Sequence, residues 1–80
     1  MKFGDFLKMK RCALGYTQSY VAEMLNVSDG TVSRYERNLM LPQQTSLRDY
    51  REILNASVEE FYSAYENHGR NDNSLLNTTN

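Results

Sequence analysis

The sequence predicts an all-α fold, a compact bundle of five short helices, and three observations carry that expectation. Apolar residues recur at spacings of three and four, as in Val21, Ala22 and Leu25 and again in Leu47, Tyr50, Ile53 and Leu54. Helix-capping residues, Thr17, Ser28 and Ser57, stand where such patterns begin. Gly15, Asn26 and Asn38 stand where they end, and the only proline, Pro42, falls between two of them.

Taken in order, the first helix spans residues 4–14, with Phe3, Phe6, Leu7, Cys12 and Leu14 as buried contributors and Gly15 as its stop. Cys12 is read as a small core hydrophobe. Thr17 caps the second helix, from Gln18 to Leu25, because its hydroxyl can accept from an orphan N–H at the helix start. The pattern then breaks at Asn26-Val27, too short for a loop. Asn tolerates the left-handed backbone that a sharp reversal needs. Ser28 caps the third helix, from Asp29 to Arg37, with Asp29 well placed in its first turn and Val32 and Tyr35 facing inward. Ala22 is small enough to let the second and third helices approach closely, and Val27 pins the turn from inside.

After Asn38 a loop runs to Ser46. Of Leu39, Met40 and Leu41, one or two are expected to plug the core beneath the third helix, the alternative being an apolar contact to a partner. Thr45 or Ser46 caps the fourth helix, whose apolar face is Leu47, Tyr50, Ile53 and Leu54. Ser57, with Glu60 three residues on, forms a capping box that opens the fifth. Val58, Phe61, Tyr62 and Tyr65 mark its core-facing or partner-facing side. Residues 1–67 therefore form one domain. Residues 68–80 lack periodicity and are expected to be a disordered polar tail.

Eighty residues support one small core of marginal stability. No apolar run approaches the roughly 18 residues of a membrane span, no signal-peptide pattern opens the chain, and the one cysteine suits a reducing compartment. The expectation is a cytoplasmic protein with no membrane partner. Net charge is −1 and the pI about 5.7, more acidic than most nucleic-acid binders. The charges are unevenly placed: residues 1–56 carry eight Lys/Arg against six Asp/Glu, and residues 57–80 carry one against four. Enzymatic readings lack parts. One Cys and one His cannot cage a zinc ion, and there is neither a glycine-rich phosphate loop nor a G-x-S-x-G elbow. No catalytic residue, metal or cofactor is expected.

The stretch Thr17–Asn38, TQSYVAEMLNVSDGTVSRYERN, is thus two short helices joined by a tight turn, a helix-turn-helix. With Arg11, Gly15, Pro42 and the later Leu54-Asn55-Ala56-Ser57-Val58-Glu59-Glu60-Phe61, it resembles the phage Cro/C1-type repressor family. The T-Q-x-x-V-A and T-V-S-R-Y-E runs at their mutual spacing are specific, and the likeness covers roughly residues 5–65. The resemblance implies a five-helix, lambda-repressor-like DNA-binding domain and a sequence-specific transcription regulator, a repressor of phage or mobile-element type. It also implies that Arg11 pairs with Glu36, and that Thr17 and Gln18 meet DNA phosphate. Two features depart from the family: Lys10 replaces an apolar residue and is expected to be solvated, and Leu39-Met40-Leu41 replaces a loop that often carries Lys or Arg.

A helix-turn-helix lays its second helix in the major groove of double-stranded DNA, N-terminal residues nearest the base edges. The candidate DNA-contacting residues are Thr17, Gln18, Ser28, Asp29, Gly30, Thr31, Ser33, Arg34, Arg37 and Asn38. Backbone N–H groups at the start of the second helix offer an anion site. Base reading falls to Asp29, Gly30, Ser33 and Arg34. Arg34 leads, because Arg reaches guanine O6 and N7 bidentately, with a phosphate contact as its alternative. Arg37 and the backbone at Asn38 are secondary phosphate candidates. A homodimer on an inverted repeat is expected, with Leu39, Met40, Phe61, Tyr62 and Tyr65 as the dimer or partner surface. The second hypothesis is a protein-binding modulator of another regulator or a toxin, built on the same fold.

Overall fold

The structure, a computed structural model, describes residues 1–67; the tail assigned to residues 68–80 lies outside the described residues. Five helices follow one another: α1 (Phe3–Ala13), α2 (Gln18–Leu25), α3 (Asp29–Glu36), α4 (Gln44–Ile53) and α5 (Val58–Glu66). The described residues contain no strand.

One device closes four of the helices. Gly15, Asn26, Asn38 and Asn55 all have positive φ, between 53° and 75°. After each, the next residue donates its N–H to a carbonyl five positions back: Tyr16 to Arg11, Val27 to Ala22, Leu39 to Arg34 and Ala56 to Arg51. This is the left-handed helix stop that satisfies otherwise orphaned carbonyls. Three of the four positions are asparagine, which tolerates αL better than other residues with a Cβ. The starts are capped as the sequence predicts at Thr17, Ser28 and Ser57, the last as a complete capping box with Glu60. Helix α4 differs. It begins at Gln44 with Gln43 at the N-cap and no side-chain cap, so neither Thr45 nor Ser46 performs that role.

The core is built from Phe3, Phe6 and Leu7 of α1, Val21 and Ala22 of α2, Val32 and Tyr35 of α3, Leu47, Tyr50 and Leu54 around α4, Ala56, and Phe61 of α5. Phe61 meets Phe3 and Phe6 edge-on, at ring-centroid distances of 5.4 and 6.1 Å. Phe61 therefore belongs to the core and not to the partner surface assigned to it. A ring with no exposure cannot also meet another chain without opening the domain.

Other expectations are corrected. Cys12 is exposed; it shares the outer stripe of α1 with Asp5, Lys8 and Met9, one turn-spacing apart. Leu14 lies past the end of α1 and is also exposed. Lys10 is not simply solvated: its Nζ reaches Glu60 of α5 at 3.2 Å. Leu39, Met40 and Leu41 are all exposed, and it is Pro42 that is buried. Val58, assigned to the core-facing or partner-facing side of α5, is exposed. The α1 rings that cover α5 meet it at Phe61 and Tyr65, beyond its first turn.

Candidate nucleic-acid interface

The α2–turn–α3 unit is held by three kinds of contact. Val21 and Ala22 of α2 and Val32 of α3 are all buried in the one core. The left-handed Asn26 turns the chain within the few residues between them. On the outer side, Ser19 of α2 donates to Oδ2 of Asp29, the first residue of α3, at 2.5 Å.

Beneath α3 lies a buried charge network. Glu36 accepts from Arg11 Nε at 2.6 Å on one carboxylate oxygen, and from Arg11 Nη2 at 2.9 Å and Gln18 Nε2 at 3.0 Å on the other. Arg11 Nη1 donates to the Tyr16 carbonyl at 2.7 Å. The two side chains are 11% and 2% exposed, which makes this a buried, fork-to-fork pair. The hydrogen bond to Glu36 raises the Arg11 pKa against the opposing effect of burial, so the guanidinium stays charged. The network joins α1, the start of α2 and the end of α3 at one carboxylate. Tyr50 lies close enough to feel the Glu36 charge, its hydroxyl is buried without a hydrogen-bond partner among the described residues, and its pKa is pushed up, chiefly by burial.

A helix-turn-helix family model matches residues 7–61, most of the five-helix unit just described. The chain belongs to the Cro/C1-type helix-turn-helix family. It is 34% identical over 79 residues to the HTH-type transcriptional regulator ImmR of Bacillus subtilis (strain 168). The match takes in 99% of this chain but only 62% of that relative, so the chain spans about three-fifths of the relative's length. No solved structure matches it. Among the described residues no helix is long and apolar enough to cross a membrane.

In this helix-turn-helix domain the candidate residues fall into two groups. Those near the start of α2 are partly engaged within the protein. The Thr17 hydroxyl accepts the Tyr20 N–H at 3.0 Å, and the Gln18 amide donates to Glu36. The exposed edge of α3 carries the rest. Ser28 Oγ accepts the Thr31 N–H at 3.1 Å and lies 2.8 Å from Thr31 Oγ1. Ser33 Oγ accepts from Arg37 Nε at 3.2 Å. The Arg34 side chain is exposed and, among the described residues, makes no hydrogen bond or ion pair. Its guanidinium lies along α3 toward Gly30, where an added Cβ would stand 3.8 Å from Nη1, an ordinary contact. Gly30 is therefore not required by packing inside the domain.

Asn38 is corrected as a phosphate candidate. Its backbone N–H is already donated to the Tyr35 carbonyl at 3.1 Å. Its side chain accepts from the Gly4 N–H at 2.8 Å and donates to Asp5 at 3.4 Å. Asn38 thus ends α3 and fastens it to α1. Ser19 escaped the reading of the sequence because its partner lies ten positions away across a turn, a spacing with no local signature. The Tyr62 and Tyr65 rings are half-buried, Tyr62 against Phe61 and Tyr65 against Phe3. Leu39 and Met40 remain as the exposed residues of the assigned partner surface, and the neighbouring Leu41 is exposed with them.

Proposed function

We propose that this chain is a sequence-specific, DNA-binding transcription regulator that sets α3 in the major groove and acts as a repressor. The observation that carries the reading is the exposed face of α3. It presents a cation, Arg34, with no partner among the described residues, from a helix whose inner side is bolted to α1 and α2 through Glu36. Rigid presentation of a few side chains to base edges is what a recognition helix needs. Family membership and the similarity to a named transcriptional regulator support the same class of activity.

In this reading Thr17 and the first turn of α2 take phosphate, joined by the free atoms of the Gln18 amide. Ser28, Asp29, Gly30, Thr31, Ser33 and Arg34 form the base-facing edge, and Arg37 is a flanking phosphate contact. Two copies occupy an inverted repeat, with half-sites about one helical turn apart. The exposed Leu39, Met40 and Leu41, with the half-buried Tyr62, supply the dimer contact. The site of action is the cytoplasm, where the DNA of a bacterial element lies.

A second reading is a modulator that binds another regulatory protein. The same exposed Leu39–Leu41 loop favours it, together with the acidic balance of residues 57–80. Selection of bound sequences from a random duplex pool, followed by titration at low salt, separates the two. Enrichment of a palindromic site supports the regulator. No binding of any duplex at micromolar protein supports the modulator.

A further inference from the structure

We propose that Ser19, which lies on α2 and outside the recognition helix, is a positioning residue for base recognition, because it holds the Asp29 carboxylate away from the guanidinium of Arg34. The inference rests on the DNA-binding reading given above. Three observations meet here. Ser19 Oγ donates to Asp29 Oδ2 at 2.5 Å. The Arg34 guanidinium lies over Gly30, the residue next to Asp29, with its nitrogens 3.8 and 3.9 Å from the Gly30 Cβ position. Yet no ion pair joins Asp29 to Arg34 among the described salt bridges.

The Arg34 fork reaches back to Gly30, and the carboxylate of the preceding residue attracts it, as opposite charges do. The short Asp side chain has few rotamers, and a hydrogen bond from the neighbouring helix selects one of them. The serine hydroxyl supplies that bond. With Asp29 fixed, Arg34 stays unpaired and its fork remains available for a guanine edge. With Asp29 released, the carboxylate competes with the base for the same guanidinium. The absence of a side chain at Gly30 leaves the shelf on which Arg34 lies.

The test is a set of variants measured on the preferred duplex and on random duplex, with wild type in parallel. Ser19→Ala should lower the preference for the selected site roughly two- to fivefold, the range of a competing exposed ion pair. Ser19→Thr, which keeps the hydroxyl, should retain it. In an Asp29→Asn background, Ser19→Ala should change nothing further. An equal loss on random duplex, or the same loss in the Asp29→Asn background, overturns the proposal, since Ser19 would then touch DNA itself. A DNA-free readout runs beside these. The Arg34 Nε–H resonance of the free protein should move in Ser19→Ala and return in the double variant. An unmoved resonance overturns the latch even where DNA binding is intact. A wild-type chain that binds no duplex overturns the DNA reading and the recognition role with it, while the Arg34 resonance still reports separately on whether Ser19 restrains Asp29.

Discussion

Asn38 accepts the backbone N–H of Gly4 through its side-chain oxygen at 2.8 Å, so the end of α3 is fastened to the start of α1. The N-terminal end of α1 thereby meets the C-terminal end of α3, a favourable pairing of opposite helix-dipole ends. The approach is close because Gly4 has no side chain. A Cβ there would stand 2.4 Å from the Tyr35 carbonyl and 2.7 Å from that of Glu36, both backbone atoms. Gly4→Ala is expected to destabilise the domain by about 1–3 kcal/mol, as overpacking does, although Ala alone would favour a helix by about 0.5–1 kcal/mol. Urea melts check this. An unchanged or raised midpoint would show that α1 does not seat on α3 in this way.

Glu36→Ala removes the acceptor of three hydrogen bonds and leaves Arg11 charged in a nearly buried site. Breaking such a pair costs on the order of 3–5 kcal/mol. For a domain this small that is a large part of its stability. Gln18→Ala should cost about 1 kcal/mol, since it deletes a single hydrogen bond to the same carboxylate. Comparing the two midpoints ranks the contacts; equal losses would mean that Arg11 is not held by Glu36 in solution.

Arg34→Ala should leave the melting midpoint within about 0.5 kcal/mol of wild type, because the side chain is exposed and unpaired among the described residues. On a selected duplex it should weaken binding by roughly 1–3 kcal/mol and relax the preference at one base position. Competition titrations against single-base variants of the site decide between base and phosphate. Equal loss on every sequence would assign Arg34 to phosphate.

Glu60 gives the fold a pH dependence. The Ser57 backbone N–H, with the Lys10 ammonium, holds its pKa below the ordinary value of 4.5. A carboxylate whose pKa is depressed by folding stabilises the native state above its unfolded pKa. That contribution is lost as pH falls through the folded value. Glu60→Gln should therefore flatten the acid limb of stability below about pH 4.5. Parallel limbs for wild type and variant would mean that the α1–α5 contact and the capping box do not form in solution.

Leu39→Glu places a charge at an apolar side chain that is 65% exposed. It makes a cleaner probe of self-association than a change at Tyr65, whose ring packs against Phe3 at 5.4 Å. Sedimentation at tens of micromolar should show wild type as a dimer and Leu39→Glu shifted to monomer with its melt unchanged. A wild-type monomer at all concentrations would move the loop to the modulator reading.

Much of this molecule was legible before any coordinates. The caps at Thr17, Ser28 and Ser57, the stops at Gly15, Asn26 and Asn38, and the apolar faces of α2, α3 and α4 are local signals, written within one or two helical turns. The pairing of Arg11 with Glu36 was legible only through the family resemblance. Cys12 and Phe61 were misplaced because spacing tells which residues share a face, and not which face meets the core. On α1 the stripe Phe3, Phe6, Leu7 continues into Lys10 and Arg11, whose charges are satisfied by Glu60 and Glu36. A rule that seeks the next apolar residue passes over both.

By itself the sequence determined where helices start and stop, which family the chain joins, and which side chains line the outer edge of α3, because each of these depends on neighbours within a few residues or on a linear motif. Only the tertiary structure decided that Gly4 is a contact point, that Asn38 fastens α3 to α1, that Ser19 meets Asp29, and that Leu39, Met40 and Leu41 stay outside. Those facts are distances between segments 10 to 34 positions apart. They exist only once the burial of a shared core has brought the helices together, since no local backbone preference reaches so far along the chain.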